Sequence, residues 1–307
     1  MFRRLDEPPH DRFIELPGRG TTWVLDRPGP RRRAPVALLL HGWRATAASN
    51  WDPVLDELSR THRVIALDHR GHGRGIRSRD RFVLEDCADD AAALLRELRV
   101  DRAVVAGYSM GGPIAQLLWQ RHRSLVAGLV FCATTNDFRV AHPALIAAAQ
   151  DLEAAFHSMP RAVRTAGMRV VASRVAADDH RRSMLLDDFD QQDERAIRQA
   201  GWAIGRYRST AWIGDVDVPS AVVVTARDAI VEPSRQHELA ARLPGARVRS
   251  IDAGHLVCVG EPEVFGEAIT DAVRLVTRLR RPQWLPGRLG ARSAMKSAGS
   301  GSWVMAQ

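Results

Sequence analysis

A serine stands between two glycines in Gly107-Tyr108-Ser109-Met110-Gly111, behind the apolar run Ala103-Val104-Val105-Ala106 and ahead of a helix-like stretch opened by Gly112-Pro113-Ile114. A hydroxyl so placed suits nucleophilic attack on a carbonyl. A strand that turns abruptly into a helix forces the residue at the turn into strained backbone angles. Its neighbours two positions away must then lack side chains, or strand and helix cannot approach. Gly107 and Gly111 meet that need. The turn lifts the Ser109 hydroxyl to the carboxyl edge of the sheet and aims the Met110 N–H, at the helix N-terminus, toward the same point. A serine that merely caps its helix is the bland alternative.

Serine is a weak nucleophile until a base takes its proton. Of eleven histidines, His255 is the best placed, because it follows the strand-like run 248–251 through Asp252-Ala253-Gly254 and so reaches the same edge. An imidazole base needs an acid to hold its tautomer and to stabilise the imidazolium. Asp228, just past Val222-Val223-Val224-Thr225, is the first choice, since Ala229-Ile230-Val231-Glu232-Pro233 gives it a turn before the next helix. Asp137, past the run 126–131, could do the same job.

Positioning these groups takes a sheet. Eight strand-like runs are predicted, at 13–16, 22–25, 36–40, 64–67, 103–106, 126–131, 221–225 and 248–251. The first two form a hairpin around Pro17-Gly18-Arg19-Gly20; several of the rest are unbroken Val/Leu/Ala runs, as in parallel strands covered on both faces. Helical patterns lie between them. The one over 84–98 carries Glu85 and Asp86 in its first turn and Arg96 near its end, matching the helix dipole. From 136 to 212 no buried-strand pattern occurs, only Ala/Arg/Leu-rich helical ones. That is too long for a simple crossover and predicts a helical cap, over 136–212, inserted into one domain over 1–281. Phe156, Met159, Met168, Met184, Trp202 and Trp212 are candidates for its apolar lining. Residues 282–307, rich in Gly, Ser, Arg and Pro, predict a mobile basic tail.

Composition narrows the partners. The 307 residues are 45% hydrophobic and 26% charged, with a net charge of +8, which fits an ordinary globular protein. All but one of the 44 basic residues are arginine, and four of them fall after residue 280, where there is no acid. Arg31-Arg32-Arg33 is the only tight basic run and lies between prolines, so a nucleic-acid surface is not expected. No run approaches the ~20 apolar residues of a membrane span. The first ten residues lack an apolar stretch, so no secretory signal is expected and a cytoplasmic location follows. Cys87, Cys132 and Cys258 have no zinc-ligand spacing and read as buried reduced thiols. His69 and His72 are three apart but have no third ligand, so neither metal nor cofactor is expected.

The order Ser109, Asp228, His255 matches the triad order of the α/β-hydrolase superfamily, which this chain resembles over residues 10–280. Leu40-His41-Gly42-Trp43 is similar to that family's oxyanion loop, and Asp68-His69-Arg70-Gly71-His72-Gly73 to its loop after the next strand. The resemblance implies a mostly parallel eight-stranded sheet with helices on both faces and a helical cap. It also implies an oxyanion hole made by the backbone N–H groups of Trp43 and Met110, with His41 structural. Ser109 argues against the family's epoxide hydrolases and haloalkane dehalogenases, which carry aspartate at this turn. The second glycine often found in the oxyanion loop is absent here, and lipases with a glycine-rich loop are a poorer match. The activity implied is hydrolysis of a small-molecule ester of a small or medium apolar acid. A carbon–carbon bond hydrolase or a cofactor-free haloperoxidase/perhydrolase would use the same residues. A non-catalytic binding protein on the same scaffold is the alternative of another class, and a homo-oligomer is neither implied nor excluded.

Overall fold

The computed structural model describes residues 11–139, 155–156, 158–279 and 302–306. The opening hairpin pairs β1 (Arg12–Leu16) with β2 (Gly20–Arg27) antiparallel, Leu16 opposite Gly20. Six further strands run parallel to one another: β3 (Val36–Leu40), β4 (Arg63–Leu67), β5 (Ala103–Tyr108), β6 (Val126–Cys132), β7 (Ser220–Thr225) and β8 (Arg247–Ile251). The eight expected strands are joined by a ninth, β9 (Val304–Met305), which pairs antiparallel with β8. The sheet order is β1-β2-β4-β3-β5-β6-β7-β8-β9.

The ninth strand corrects the expectation of a mobile tail at its far end; residues 280–301 lie outside the described residues. Polar composition hid a short β-capable stretch, Trp303-Val304-Met305. An open sheet edge presents unpaired N–H and C=O groups to any extended segment that reaches it.

Strands buried on both faces read as unbroken apolar runs, and β3 shows why. Leu38 and Leu40 pack on one side with α2 (Leu84–Glu97), α3 (Gly111–Arg121) and α7 (Pro233–Arg242). Ala37 and Leu39 pack on the other with α1 (Ala47–Ser59), the short α8 (Val257–Gly260) and α9 (Pro262–Leu279). Each fully buried Leu contributes about 1.5–3 kcal/mol. In α9 the buried stripe Phe265, Ile269, Ala272, Val276 follows the helical period, and Gly266 lets α1 come close: a Cβ there would lie 2.4 Å from the Pro53 carbonyl oxygen.

The sheet reverses its winding at β3. The chain steps from β3 outward to β4, then crosses back to place β5 on the other side of β3. Loops leaving the carboxyl ends of β3 and β5 therefore diverge and open a crevice, where ligands bind in open α/β sheets.

Between β6 and β7 lies the helical insertion: α4 (Arg161–Val175), α5 (Asp179–Gln191) and α6 (Glu194–Arg206). Its neck is closed by Ser209 N–H donating to Asn136 C=O at 2.8 Å and Phe138 N–H to Tyr207 C=O at 3.1 Å. It seats on the carboxyl edge of the sheet through Ala177 N–H to Val259 C=O, Asp193 N–H to Gly71 C=O, and the Trp43 indole N–H to Ile197 C=O, each 2.9 Å. Residues 140–154 of the expected insertion lie outside the described residues. Among the described residues no helix is long and apolar enough to cross a membrane.

Candidate active site

Ser109 sits on the turn from β5 to α3 with φ +51°, in the left-handed region that side chains other than glycine rarely adopt. Holding a residue there costs on the order of 1–3 kcal/mol and persists only where the surroundings enforce it. They do. The Ser109 N–H donates to Cys132 C=O at 3.0 Å, and its C=O accepts from Gly112 N–H at 2.9 Å and the Thr134 hydroxyl at 2.8 Å. The flanking glycines are a steric necessity: a Cβ on Gly107 would lie 2.2 Å from Gly111 O, and one on Gly111 would lie 2.0 Å from Leu40 O. Gly112 meets Thr134 in the same way, at 2.1 Å.

His255 leaves the carboxyl end of β8 and reaches this turn. Its Nε2 accepts from the Ser109 hydroxyl at 3.1 Å, and its Nδ1–H donates to Asp228 Oδ2 at 2.8 Å. A carboxylate can only accept, so it assigns the hydrogen to Nδ1 and leaves the Nε2 lone pair facing Ser109. The ring lies against Tyr108 at 5.7 Å between centroids.

Asp228 is buried in the loop after β7. Its Oδ1 accepts from the N–H groups of Ile230 and Val231, both at 2.8 Å, and its Oδ2 also accepts from the Thr225 hydroxyl at 2.8 Å. Burial alone would raise its pKa. The hydrogen bond and charge of His255, together with the two backbone N–H groups, outweigh burial and hold the carboxyl below its ordinary value. Of the two acids open to sequence reasoning, this is the one that meets His255. Asp137 lies at the neck of the insertion, where Arg139 binds it at 2.7 Å and Arg208 at 3.6 Å.

The sequence reading missed Gln236. Fully buried on α7, it accepts from Thr225 N–H at 3.1 Å and donates to Val231 C=O at 2.7 Å and Asp228 Oδ2 at 3.2 Å, bracing the acid loop from behind. Its signal was a polar residue on the buried face that Leu239 and Ala240 share.

The loop after β3 comes close to the serine. A Cβ on Gly42 would lie 3.1 Å from the Tyr108 ring and 3.4 Å from Ser109 Cβ. Gly42 N–H is taken by Asn50 Oδ1 at 2.8 Å, and Gly42 C=O accepts from His41 Nδ1 at 2.8 Å. Among the described residues, neither the Trp43 nor the Met110 N–H donates to a protein acceptor. His41, His69 and His72 form a buried trio behind the loop, with ring centroids 4.3 and 5.4 Å from that of His41. Burial holds all three neutral, pushing His41 down to about 4 and His72 to about 3. His41 Nε2 accepts from His69 N–H at 2.9 Å, a structural use of the ring. Cys87, Cys132 and Cys258 are buried free thiols.

The candidate lining residues separate. Trp212 stacks on Trp119 at 6.1 Å, near the far end of α3 and nine residues beyond Met110, so it packs away from the serine. Phe156 meets Phe189 edge-on at 6.3 Å, while Met159 and Trp202 are exposed. Met168 and Met184 are half-buried on α4 and α5. A helical pattern records which residues are apolar and not which way a loosely packed helix turns them.

A family model described as alpha/beta hydrolase fold matches residues 35–262. Among curated proteins, a pimeloyl-[acyl-carrier protein] methyl ester esterase of Aromatoleum aromaticum is 32% identical over 260 residues, covering 78% of this chain and 98% of that protein. A magnesium-chelatase 30 kDa subunit of Rhodobacter capsulatus is 30% identical over 247 residues, covering 76% and 84%. Among solved structures, a thermophilic esterase from Thermogutta terrifontis superposes with a TM-score of 0.69 at 25% identity, covering 87% of this chain and 99% of that one.

Proposed function

The chain belongs to the alpha/beta hydrolase fold family, and we propose that within it this protein is a serine hydrolase that cleaves a carboxylic ester through an acyl-enzyme. The observation that carries the reading is the series of two hydrogen bonds, Ser109 to His255 at 3.1 Å and His255 to Asp228 at 2.8 Å, built on a serine at positive φ.

In this mechanism Ser109 Oγ attacks the ester carbonyl while His255 Nε2 takes its proton. Asp228 stabilises the imidazolium that forms, and the five donors it accepts from fix its orientation. Negative charge on the tetrahedral carbonyl oxygen falls to the N–H groups of Trp43 and Met110, each contributing about 3–4 kcal/mol to the transition state. Collapse expels the alcohol, protonated by His255. Water then attacks the acyl-serine with the same histidine as base, and the acid leaves. The insertion closes the site from above and bounds the acyl pocket, for which a small or medium apolar acid is the working class.

The second reading, a non-catalytic member of the family, draws on the relative whose name is that of a magnesium-chelatase subunit. One experiment separates the two. A fluorophosphonate should add one equivalent of mass to the wild type and none to Ser109→Ala, and p-nitrophenyl esters of graded acyl length should then size the pocket. A folded wild type that stays unlabelled defeats the hydrolytic reading.

A further inference from the structure

Asp188 is the one buried residue of α5, and it is a carboxylate. Its Oδ1 accepts from the Thr46 hydroxyl at 2.8 Å, and its Oδ2 accepts from the Ser49 hydroxyl. Thr46 and Ser49 are the two halves of the capping box that opens α1. A side chain from the insertion therefore occupies the N-terminus of a core helix, at the end of the loop that carries Trp43.

A second buried acid faces it. Asp68 Oδ1 accepts from Ala47 N–H and its Oδ2 from Arg74 N–H, both at 2.8 Å. Two carboxylates buried around one helix end repel each other. The donors decide which of them keeps its charge. Backbone N–H groups can only donate, so they favour the anion at Asp68. Hydroxyls donate to a carboxylate or accept from a carboxylic acid, so Thr46 and Ser49 suit Asp188 in either state.

The contacts around Asp188 form one line. Arg181, Leu185 and Asp188 share a face of α5; Arg181 pairs with Asp52 of α1 at 3.1 Å, and Leu185 packs against the core cluster to which α1 contributes. Just beyond, Gln192 Nε2 donates to Arg44 C=O at 3.2 Å and the Trp43 indole to Ile197 C=O at 2.9 Å. Chain from Trp43 to Asp52 is thus gripped by the insertion along its length.

We infer that Asp188 is a positioning residue, a proton-responsive clamp whose ionisation loosens the insertion from the oxyanion loop and α1. Only its effect on turnover rests on the hydrolytic reading above. Docked and protonated, Asp188 brings no charge into the interface; docked and ionised, it must be desolvated beside Asp68. Burial pushes its carboxyl up to about 7, the Ser49 and Thr46 hydroxyls opposing and the Asp68 charge adding to the rise. Burial raises the Asp68 carboxyl as well, its two backbone donors and the Arg74 and Arg77 charges opposing. The other charged or titratable groups facing this interface are the Asp52–Arg181 pair and the Cys258 thiol, which burial holds neutral. Because the docked pKa lies above the ~4 of a solvated carboxyl, docking is strongest in acid. It weakens as pH rises toward about 7 and is level above it.

Hydrogen exchange on the full chain tests this at pH 5, 6, 7 and 8, with each rate divided by the intrinsic amide rate at that pH. Protection of α5 should fall by up to tenfold per pH unit from 5 to 7 and then level off, while α9 in the same sample does not follow it. Asp188→Asn, which donates and accepts but does not ionise, should give a flat α5 profile. Ser49→Ala, which removes one donor to the anion, should move the levelling point to higher pH. If Asp188→Asn does not fold, Ser49→Ala alone decides. Wild-type α5 tracking α9 at every pH, an unchanged slope in Asp188→Asn, or an unmoved levelling point in Ser49→Ala would each overturn the clamp. With p-nitrophenyl acetate, the ratio of wild-type to Asp188→Asn kcat/KM should change over the same pH range, and a constant ratio counts against the clamp. A wild type without ester turnover defeats the hydrolase reading and leaves exchange to decide the clamp.

Discussion

Helix α9 buries nine of its eighteen residues, whereas α4 buries one of fifteen. Around α9 the contacts are apolar and close, with Phe265, Ile269 and Val276 fully enclosed and Gly266 giving way to the α1 backbone. In the insertion they are ionic and exposed: Arg161 with Asp190 at 2.9 Å, Arg164 with Glu194, Arg181 with Asp178 at 2.7 Å. Exposed pairs of this kind contribute about 0.2–1 kcal/mol each, less than one buried Leu. The sheet half therefore holds the geometry of the serine, histidine and acid, and the insertion is the part free to open locally. In the proposed hydrolase, a rigid rim under an adaptable cover would let the bound acyl group vary without moving Ser109, His255 and Asp228.

The largest effect that would break this picture concerns the acid. Asp228→Asn keeps the shape of the loop but lets Nδ1 lose its acceptor, and ester kcat/KM should fall about 10⁴-fold, as it does for the equivalent change in a serine protease triad. Asp137→Asn, at the neck of the insertion and bound to Arg139 and Arg208, should leave turnover within about threefold of wild type. The pair, measured with one activated ester, assigns the acid to the sheet half; equal losses would draw the insertion's neck into the site.

Next comes packing at the serine turn. Gly111→Ala forces a Cβ to 2.0 Å from the Leu40 carbonyl oxygen, and backbone rather than a flexible side chain must give way. Urea unfolding should show a loss of about 4 kcal/mol, the range of severe core disruption. A loss below about 1 kcal/mol would mean that the turn is softer than its contacts indicate.

Acid should then divide the two regions by sign. His41, His69 and His72 are neutral when folded, with His41 near 4 and His72 near 3, against about 6.5 in an unfolded chain. Their contribution is complete above about 6.5 and is lost progressively as pH falls below it. Asp188 acts oppositely over 4 to 7, and Asp68, its carboxyl likewise raised by burial, acts with it. These two do not offset the three imidazoles, to whose side His62, pushed down to about 4, also adds. The melting temperature should drop between pH 6.5 and 5 while exchange protection of α5 rises. A parallel rise or fall of both would join what the structure separates.

The same division governs what was legible in the sequence. Ser109, His255 and Asp228 each follow a buried strand by a few residues, and a sheet with both faces covered leaves strand ends only one edge to reach. Strand positions, the glycine flanks and the acid loop therefore carried strong local signals. Gln236 was missed because a brace that serves another side chain has no spacing of its own. In the insertion, apolar residues at helical intervals suggested a lining, yet Trp202 faces solvent and Trp212 stacks on Trp119. The firmest seat of the insertion is polar, Asp188 in the α1 capping box, and a hydrophobic pattern cannot announce it. Val304 and Met305 were invisible because two residues are too few to show a period.

The smallest predicted effect tests the division most directly. Gly167 lies in the middle of α4, and a Cβ added there meets nothing within 4 Å. Gly167→Ala should stabilise that helix by about 0.5–1 kcal/mol, through the backbone freedom that alanine removes from the unfolded segment. Where this gain appears depends on what unfolds with α4. If the insertion opens on its own, α4 amides gain about two- to fivefold in exchange protection while the melting temperature of the sheet stays put, because the added free energy belongs to a local equilibrium. If α4 unfolds only together with the sheet, its protection equals the global value and the same substitution raises the melting temperature by about 1–3 °C. The second result would make the two halves one cooperative unit and remove the reason for treating the insertion as the adaptable part.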